Sequence, residues 1–204
     1  MIHSFDNLPR HHYKAVLIDP PWSFRVWSED TGSGRSPSAH YDTMTVKDII
    51  ALPIADHAAD DCALFCWACW PSFPDALRCI EQWGFTYKTM GFVWVKGAGL
   101  PLFPEDVKDE MGMGYWTRAN TEPCILATRG NPKRKETGRG VRQVILDKRR
   151  EHSRKPDEIY SRIERLVDGP YLEIFARQRI QGWDAIGNEI DKFGVAVAPR
   201  SGFC

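Results

Sequence analysis

Asp19, Pro20, Pro21 and Trp22 directly follow the apolar run Ala15 to Ile18, so a carboxylate, a stiffened backbone and a broad aromatic ring arrive together at a strand end. Those residue types suit an amino group on a flat ring. The exocyclic amine of adenine is a poor nucleophile because its lone pair is delocalised into the ring. Asp19 and the Pro20 carbonyl can each accept one of its N–H groups and turn the lone pair toward an electrophile on the far side. Consecutive prolines hold their own φ angles and restrict the residue before them, which aims that carbonyl in advance. Trp22 offers a surface on which a base lifted from its stack can lie. The competing reading is structural: a proline turn closing a strand, with the indole filling the core.

A second group of candidates lies near the C-terminus. Glu173 stands within the apolar stretch Tyr171 to Ala176 and Arg177 just beyond it, where a carboxylate or guanidinium can hold ribose hydroxyls. A surface ion pair is the plain alternative. Asn188 and Glu189 follow Gly187, a small residue that permits close backbone approach, so the Asn amide can reach a bound adenosyl group or simply close a turn. Lys155 precedes a helix start, where its ammonium and the helix dipole together can hold a carboxylate, and where a basic residue is otherwise only a cap-region charge.

These residues need a frame. Tyr13 to Ile18 is expected as the first buried strand, followed by a long Gly/Ser-rich loop over 23–44. Thr45 and Asp48 signal a short capped helix before Pro53. Further strands are expected at 62–68, at Thr86 to Lys96 with Phe92 and Trp94 on one face, at Thr121 to Arg129 and at Tyr171 to Ala176. Helices are expected from Phe73 to Trp83, stopped by Gly84, and from Pro156 to about Val167. A second long loop spans Gly97 to Arg118, and the tail from Gly194 to Cys204 reads as an extension without periodicity. Alternating strands and helices imply an α/β sheet with helices on both faces. At 204 residues one domain is expected, with its core over about 13–190.

The motifs together resemble the adenine N6-methyltransferase family with Asp-Pro-Pro-Trp, which includes the catalytic subunit of the eukaryotic messenger-RNA adenosine methyltransferase and many bacterial and phage members. His40 to Met44 resembles its Tyr-x-Thr-Met segment, Trp94-Val95-Lys96 its Trp-Val-Lys strand, and Lys155 to Tyr160 its Lys-Pro-Asp-Glu helix start. Glu173 to Arg177, with Phe175 between them, and Trp183 to Asn188 resemble the family's cofactor-pocket segments. The resemblance implies a Rossmann-like methyltransferase sheet in circularly permuted order, with the catalytic motif first and the cofactor motif last. It implies S-adenosyl-L-methionine as cofactor, held by Asp19, Lys155, Glu173, Phe175, Arg177, Asn188 and Glu189, and methylation of the adenine N6 amine of a nucleic acid, DNA favoured and RNA open. Tyr41 resembles a substrate-side residue. The family's His-Asn pair after the arginine is replaced by Arg179 and Ile180, so the ribose-contacting set carries over only as far as Arg177. This chemistry needs no metal.

Composition narrows the alternatives. Hydrophobic residues make up 43% of a chain with zero formal charge, and no stretch approaches the length of a membrane span, so a cytoplasmic protein is expected. Charge is uneven: between Arg129 and Lys155, eleven Lys or Arg face only Glu136, Asp147 and Glu151. Such a segment can grip phosphates without reading bases, with Lys133, Arg134 and Lys135 as its densest cluster. Cys62, Cys66 and Cys69 have the spacing of an iron–sulfur motif, but their apolar setting reads as a buried strand. A non-catalytic nucleic-acid-binding subunit is a further alternative, against which all four residues of the motif are intact. The oligomeric state is left open between a homodimer and a heteromeric partner subunit.

Overall fold

The computed structural model describes residues 5–23, 43–97, 116–117, 119–151 and 154–197. Its centre is a seven-stranded sheet in the order β5-β3-β4-β2-β1-β6-β8. These strands are β1 (Tyr13–Ile18), β2 (Ala58–Trp67), β3 (Thr86–Lys96), β4 (Thr121–Arg129), β5 (Val144–Asp147), β6 (Tyr171–Ile174) and β8 (Trp183–Ile186). Every neighbouring pair is parallel except those made by β4, which runs against β2 and β3. A separate two-stranded ladder joins β7 (Arg179–Ile180) to β9 (Val195–Ala196) in the tail.

From Ala15 to Ile18 β1 is a continuous apolar run because it is buried on both faces, with the exposed Lys14 before it. Val16 and Ile18 point into one core with Ile49, Ile54, Ala76, Cys79 and Ile80. Those residues come from α1 (Val46–Ile50), α2 (Ile54–His57) and α3 (Phe73–Gln82). Ala15 and Leu17 point into the other core with Phe65, Phe92 and Trp94 and with Ile159 and Ile163 of α4 (Glu158–Leu166). Helices therefore cover both faces, as expected. Thr45 caps α1 by accepting from the Asp48 amide, and Gly84 ends α3 at φ +78°, where a β-carbon is disfavoured.

β1 has β2 on one side and β6 on the other, and the chain reaches these neighbours over opposite faces. In open α/β sheets such a switch opens a crevice beyond the carboxyl ends of the strands. Asp19 and Phe175 are the first residues past those two ends. β6 stops at Ile174 rather than Ala176 because Phe175 takes φ +66°, a left-handed conformation uncommon for a residue with a side chain. Gly187 packs under that turn. A β-carbon on it would lie 2.2 Å from the Ala176 carbonyl oxygen, so only glycine fits.

Candidate active site

Asp19 sits at the crevice floor with its Oδ2 on the Lys155 ammonium at 2.7 Å. Lys155 also reaches Glu122 at 3.4 Å, and Glu122 in turn pairs with Lys96 at 2.6 Å. Four largely buried charges thus alternate in sign from β1 to β3. Burial raises the Asp19 pKa above the ordinary aspartate value, and Lys155 opposes this without cancelling it. Burial acts the same way on Glu122, but Lys155 and Lys96 outweigh it and hold that carboxyl below its usual range. The pairing of Trp94 with Glu122 across β3 and β4 sets Lys96 beside the carboxylate. Neither Glu122 nor Lys96 was assigned a role from sequence. The available signal was a lone carboxylate at the start of an otherwise apolar strand.

Asp19 lies in an open cleft beyond the carboxyl ends of β1 and β6. Lys155, Glu173, Phe175 and Arg177 line it, together with Trp67, Tyr160, Arg154, Gln178 and Phe193. Glu173 accepts the Tyr160 hydroxyl at 3.1 Å. Burial, with Asp19 and Asp157 nearby, pushes its pKa up to about 8 even though the Tyr160 hydrogen bond pulls downward. Gln178 donates to Asp157 at 3.0 Å, and Arg150 and Arg154 pair with the same carboxylate. Burial would raise the Asp157 pKa, but these partners hold it low. Two buried N–H donors, Trp67 Nε1 and Arg154 Nε, have no partner among the described residues.

Several expectations change. Trp22 presents no stacking face: it is 4% exposed, lies in the core with Ile18 and Ile49, and donates its indole N–H to the Trp67 carbonyl at 2.9 Å. The indole fills space beneath the turn because the Trp22 backbone folds back onto the Pro20 carbonyl, 2.8 Å away, and bridges to Met44. That carbonyl keeps one further lone pair. Pro20 is buried and Pro21 accepts the Met44 amide at 3.0 Å, which holds the turn. Lys155 meets Asp19 and Glu122 rather than standing alone before α4. Asn188 and Glu189 are exposed in the turn after β8 and do not line the cleft, although Glu189 pairs with Arg177 at 2.8 Å. Tyr41 lies outside the described residues.

The basic segment does not act as one surface. β4 runs downward, so Gly130 to Lys135 sit at the amino-terminal edge of the sheet, where Asn131 bonds Asp61 and Lys135 pairs with Asp168. Six strand residues separate that edge from Asp19, about 20 Å. β5, missed in the sequence as part of a basic loop, carries the chain back up beside β3. Of the segment's described basic residues, Arg154 and Lys155 line the cleft and Arg150 pairs with Asp157 beside it. The cysteines do not gather either: Cys62 and Cys66 are four residues apart on an extended strand, about 13 Å. Burial pushes the Cys62 thiol up to about 12 and that of Cys66 well above its ordinary value, whereas ligation needs thiolates. Among the described residues no cluster of His, Cys, Asp or Glu is placed to hold a metal, and no helix is long and apolar enough to cross a membrane.

The order of these parts matches a known family pattern, the MT-A70 model, over residues 13–189. The chain belongs to the MT-A70 family. It is 32% identical over 201 residues to the type II methyltransferase M.MunI of a Mycoplasma species, covering 91% of this chain and 81% of that protein. It is 28% identical over 183 residues to an Arabidopsis thaliana N(6)-adenosine-methyltransferase MT-A70-like protein, covering 88% of this chain and 24% of the relative. The human N(6)-adenosine-methyltransferase catalytic subunit METTL3 is 28% identical over 184 residues, with 88% and 28% covered. The chain thus spans about a quarter of the length of these eukaryotic relatives. As an MT-A70 member it is a methyltransferase, and the cleft beside Asp19 is its candidate active site.

Proposed function

We propose that this chain transfers a methyl group from S-adenosyl-L-methionine to the N6 amine of adenine in a nucleic acid, with DNA as the favoured polymer. The observation that carries the reading is the buried charge chain ending on Asp19 at the floor of the β1–β6 crevice. Asp19 Oδ2 is committed to Lys155, which leaves Oδ1 for one N–H of an incoming amine while the free lone pair of the Pro20 carbonyl takes the other. Held in this way, the amine turns its lone pair out of the ring plane, and positioning supplies most of the rate. The amine loses one proton as the new N–C bond forms, and the raised pKa of Asp19 makes it a competent acceptor for that proton.

The cleft suits the cofactor. Phe175 and Phe193 supply aromatic walls, and two buried donors have no hydrogen-bond partner among the described residues. Lys155, Glu173, Phe175 and Arg177 would hold it from the cleft walls, with Asn188 and Glu189 at the rim. When bound, it supplies an electrophilic methyl group on a sulfonium centre. DNA is favoured because the chain covers four-fifths of a type II methyltransferase but only about a quarter of each adenosine methyltransferase. The motif order, with Asp19 just past the first strand and Glu173, Phe175 and Arg177 on or just past β6 late in the chain, supports the permuted reading of the fold. A base must leave its stack to reach the crevice. Trp70, exposed at the carboxyl end of β2 and anchored by its indole N–H to Thr121, offers such a base a face on the rim.

The test is incubation of the protein with methyl-labelled cofactor and matched duplex DNA, single-stranded DNA and RNA, followed by identification of the labelled nucleoside. N6-methyldeoxyadenosine is expected. Label in RNA alone would reassign the polymer, and label on cytosine or none at all would remove the proposal.

A further inference from the structure

The tail beyond the family match folds back onto the cleft. Phe193 donates its amide to the Arg177 carbonyl at 3.1 Å, and β9 pairs with β7 through Arg179–Val195 and Ile180–Ala196. Arg179 and Asp191 close the strap from outside at 2.9 Å. This sets the Phe193 ring into the cleft lining, where the Arg154 guanidinium lies 4.5 Å from its centroid. A guanidinium covered by an aromatic face is held in plane and shielded from water on that side.

Arg154 is directed from its other edges as well. Its NH1 meets Glu151 at 3.2 Å, and its NH2 meets Asp157 at 3.4 Å and the Gln178 carbonyl oxygen at 3.3 Å. The remaining donor, Nε–H, is buried without a partner among the described residues. A buried orphan donor on a cation costs free energy unless a ligand completes it. All three cations of the cleft are paired with carboxylates, Lys155 with Asp19 and Glu122, Arg177 with Glu189, and Arg154 with Glu151 and Asp157, but Arg154 also keeps its buried Nε–H for a ligand. A ligand carboxylate entering beside Lys155 therefore finds its hydrogen-bond donor on Arg154.

Resting on the methyltransferase reading, we propose that Arg154, clamped by Phe193 of the C-terminal strap, is the residue that receives the amino-acid carboxylate of the cofactor. Charge-assisted hydrogen bonds of this kind change affinity by about ten- to a hundredfold. The strap thereby makes the tail part of the binding site, and Phe193 acts as a positioning residue for Arg154.

Calorimetry on the full chain tests this with three probes: S-adenosylhomocysteine, decarboxylated S-adenosylmethionine and 5′-methylthioadenosine, which lacks the whole amino-acid arm. Arg154→Gln should weaken S-adenosylhomocysteine about ten- to a hundredfold and leave the other two within about twofold. Phe193→Ala should give a smaller loss with the same selectivity. Normal 5′-methylthioadenosine binding reports an intact cleft. Should Arg154→Gln lose it, Arg154→Lys, which keeps a cation but not the Nε–H, reads the same contrast. An equal loss for all three probes would make Arg154 a structural clamp, and no loss for any would remove it from the site. Either result overturns the inference while the wild-type chain still binds S-adenosylhomocysteine. If the wild type binds none of the probes, the methyltransferase reading itself fails.

Discussion

Exchanging Glu173 for Gln should remove a loss of stability that the wild-type chain suffers as pH rises from about 5 to 8. The Glu173 carboxyl sits in β6 between Leu17 and Ala185 of the neighbouring strands, and burial first, then Asp19 and Asp157, lift its pKa from 4.5 to about 8. The folded chain therefore keeps this proton up to about pH 8, whereas the unfolded chain gives it up near 4.5. A folded pKa raised above the unfolded value means that the stability is whole below pH 4.5 and is lost as pH climbs through the folded pKa. Each pH unit inside that window costs up to about 1.4 kcal/mol, so the ceiling is about 5 kcal/mol and a loss of a few kcal/mol is expected. Gln has no proton to lose and still accepts the Tyr160 hydroxyl. Glu122 and Asp157, with lowered pKa values, lose stability as pH falls and act below this window. Urea unfolding at pH 5, 6.5, 8 and 9 should show wild-type stability falling more steeply than that of Glu173→Gln, which keeps only the fall contributed by Asp19, whose pKa burial also raises. Parallel curves for the two proteins would refute the assignment of a buried, protonated Glu173.

Trp22→Ala should cost about 3–5 kcal/mol of stability, the range for emptying a buried aromatic site, because the indole is core; a fold as stable as wild type with weakened nucleic-acid binding would restore the stacking role. Glu122→Gln should lower kcat about tenfold or more while cofactor affinity stays near wild type, since it loosens Lys155 from Asp19 without emptying the cleft; unchanged kcat in steady-state kinetics would contradict this. Replacing Lys133, Arg134 and Lys135 together with Ala should leave the dependence of log affinity on log salt unchanged, whereas Lys148→Ala with Arg149→Ala should flatten it by about 0.9 per lost duplex contact; the reverse pattern would put nucleic acid on the amino-terminal edge.

The legible parts of the fold were those whose signal is local. β1 announces itself through Ala15 to Ile18, since a strand segment buried on both faces is apolar throughout, and the Thr45 cap and Gly84 stop depend only on neighbouring residues. β5 was hidden because only Ile145 of its four residues is buried, at a sheet edge inside a basic run. The same strand explains why the charge excess between Arg129 and Lys155 misleads: it carries the chain toward Arg150, Arg154 and Lys155 at one edge and leaves Lys133 to Lys135 at the other. Asp19, Lys155, Glu173 and Arg177 could be read because each stands at the end of a recognisable element or within it. The Lys96–Glu122 pair could not, since it depends on the register between β3 and β4. Trp22 carried two readings at once, and only the turn at Pro20, which folds the indole inward, separates them.

The account stands most directly on Asp19 as the group that holds the amine. Asp19→Asn keeps the shape and one acceptor oxygen but removes the charge that Lys155 orients. Measured with labelled cofactor on the preferred nucleic acid, the variant should lose at least about a hundredfold in kcat, while calorimetry shows S-adenosylhomocysteine binding within about tenfold of wild type. Turnover within tenfold of wild type, with the cofactor still bound, would contradict it.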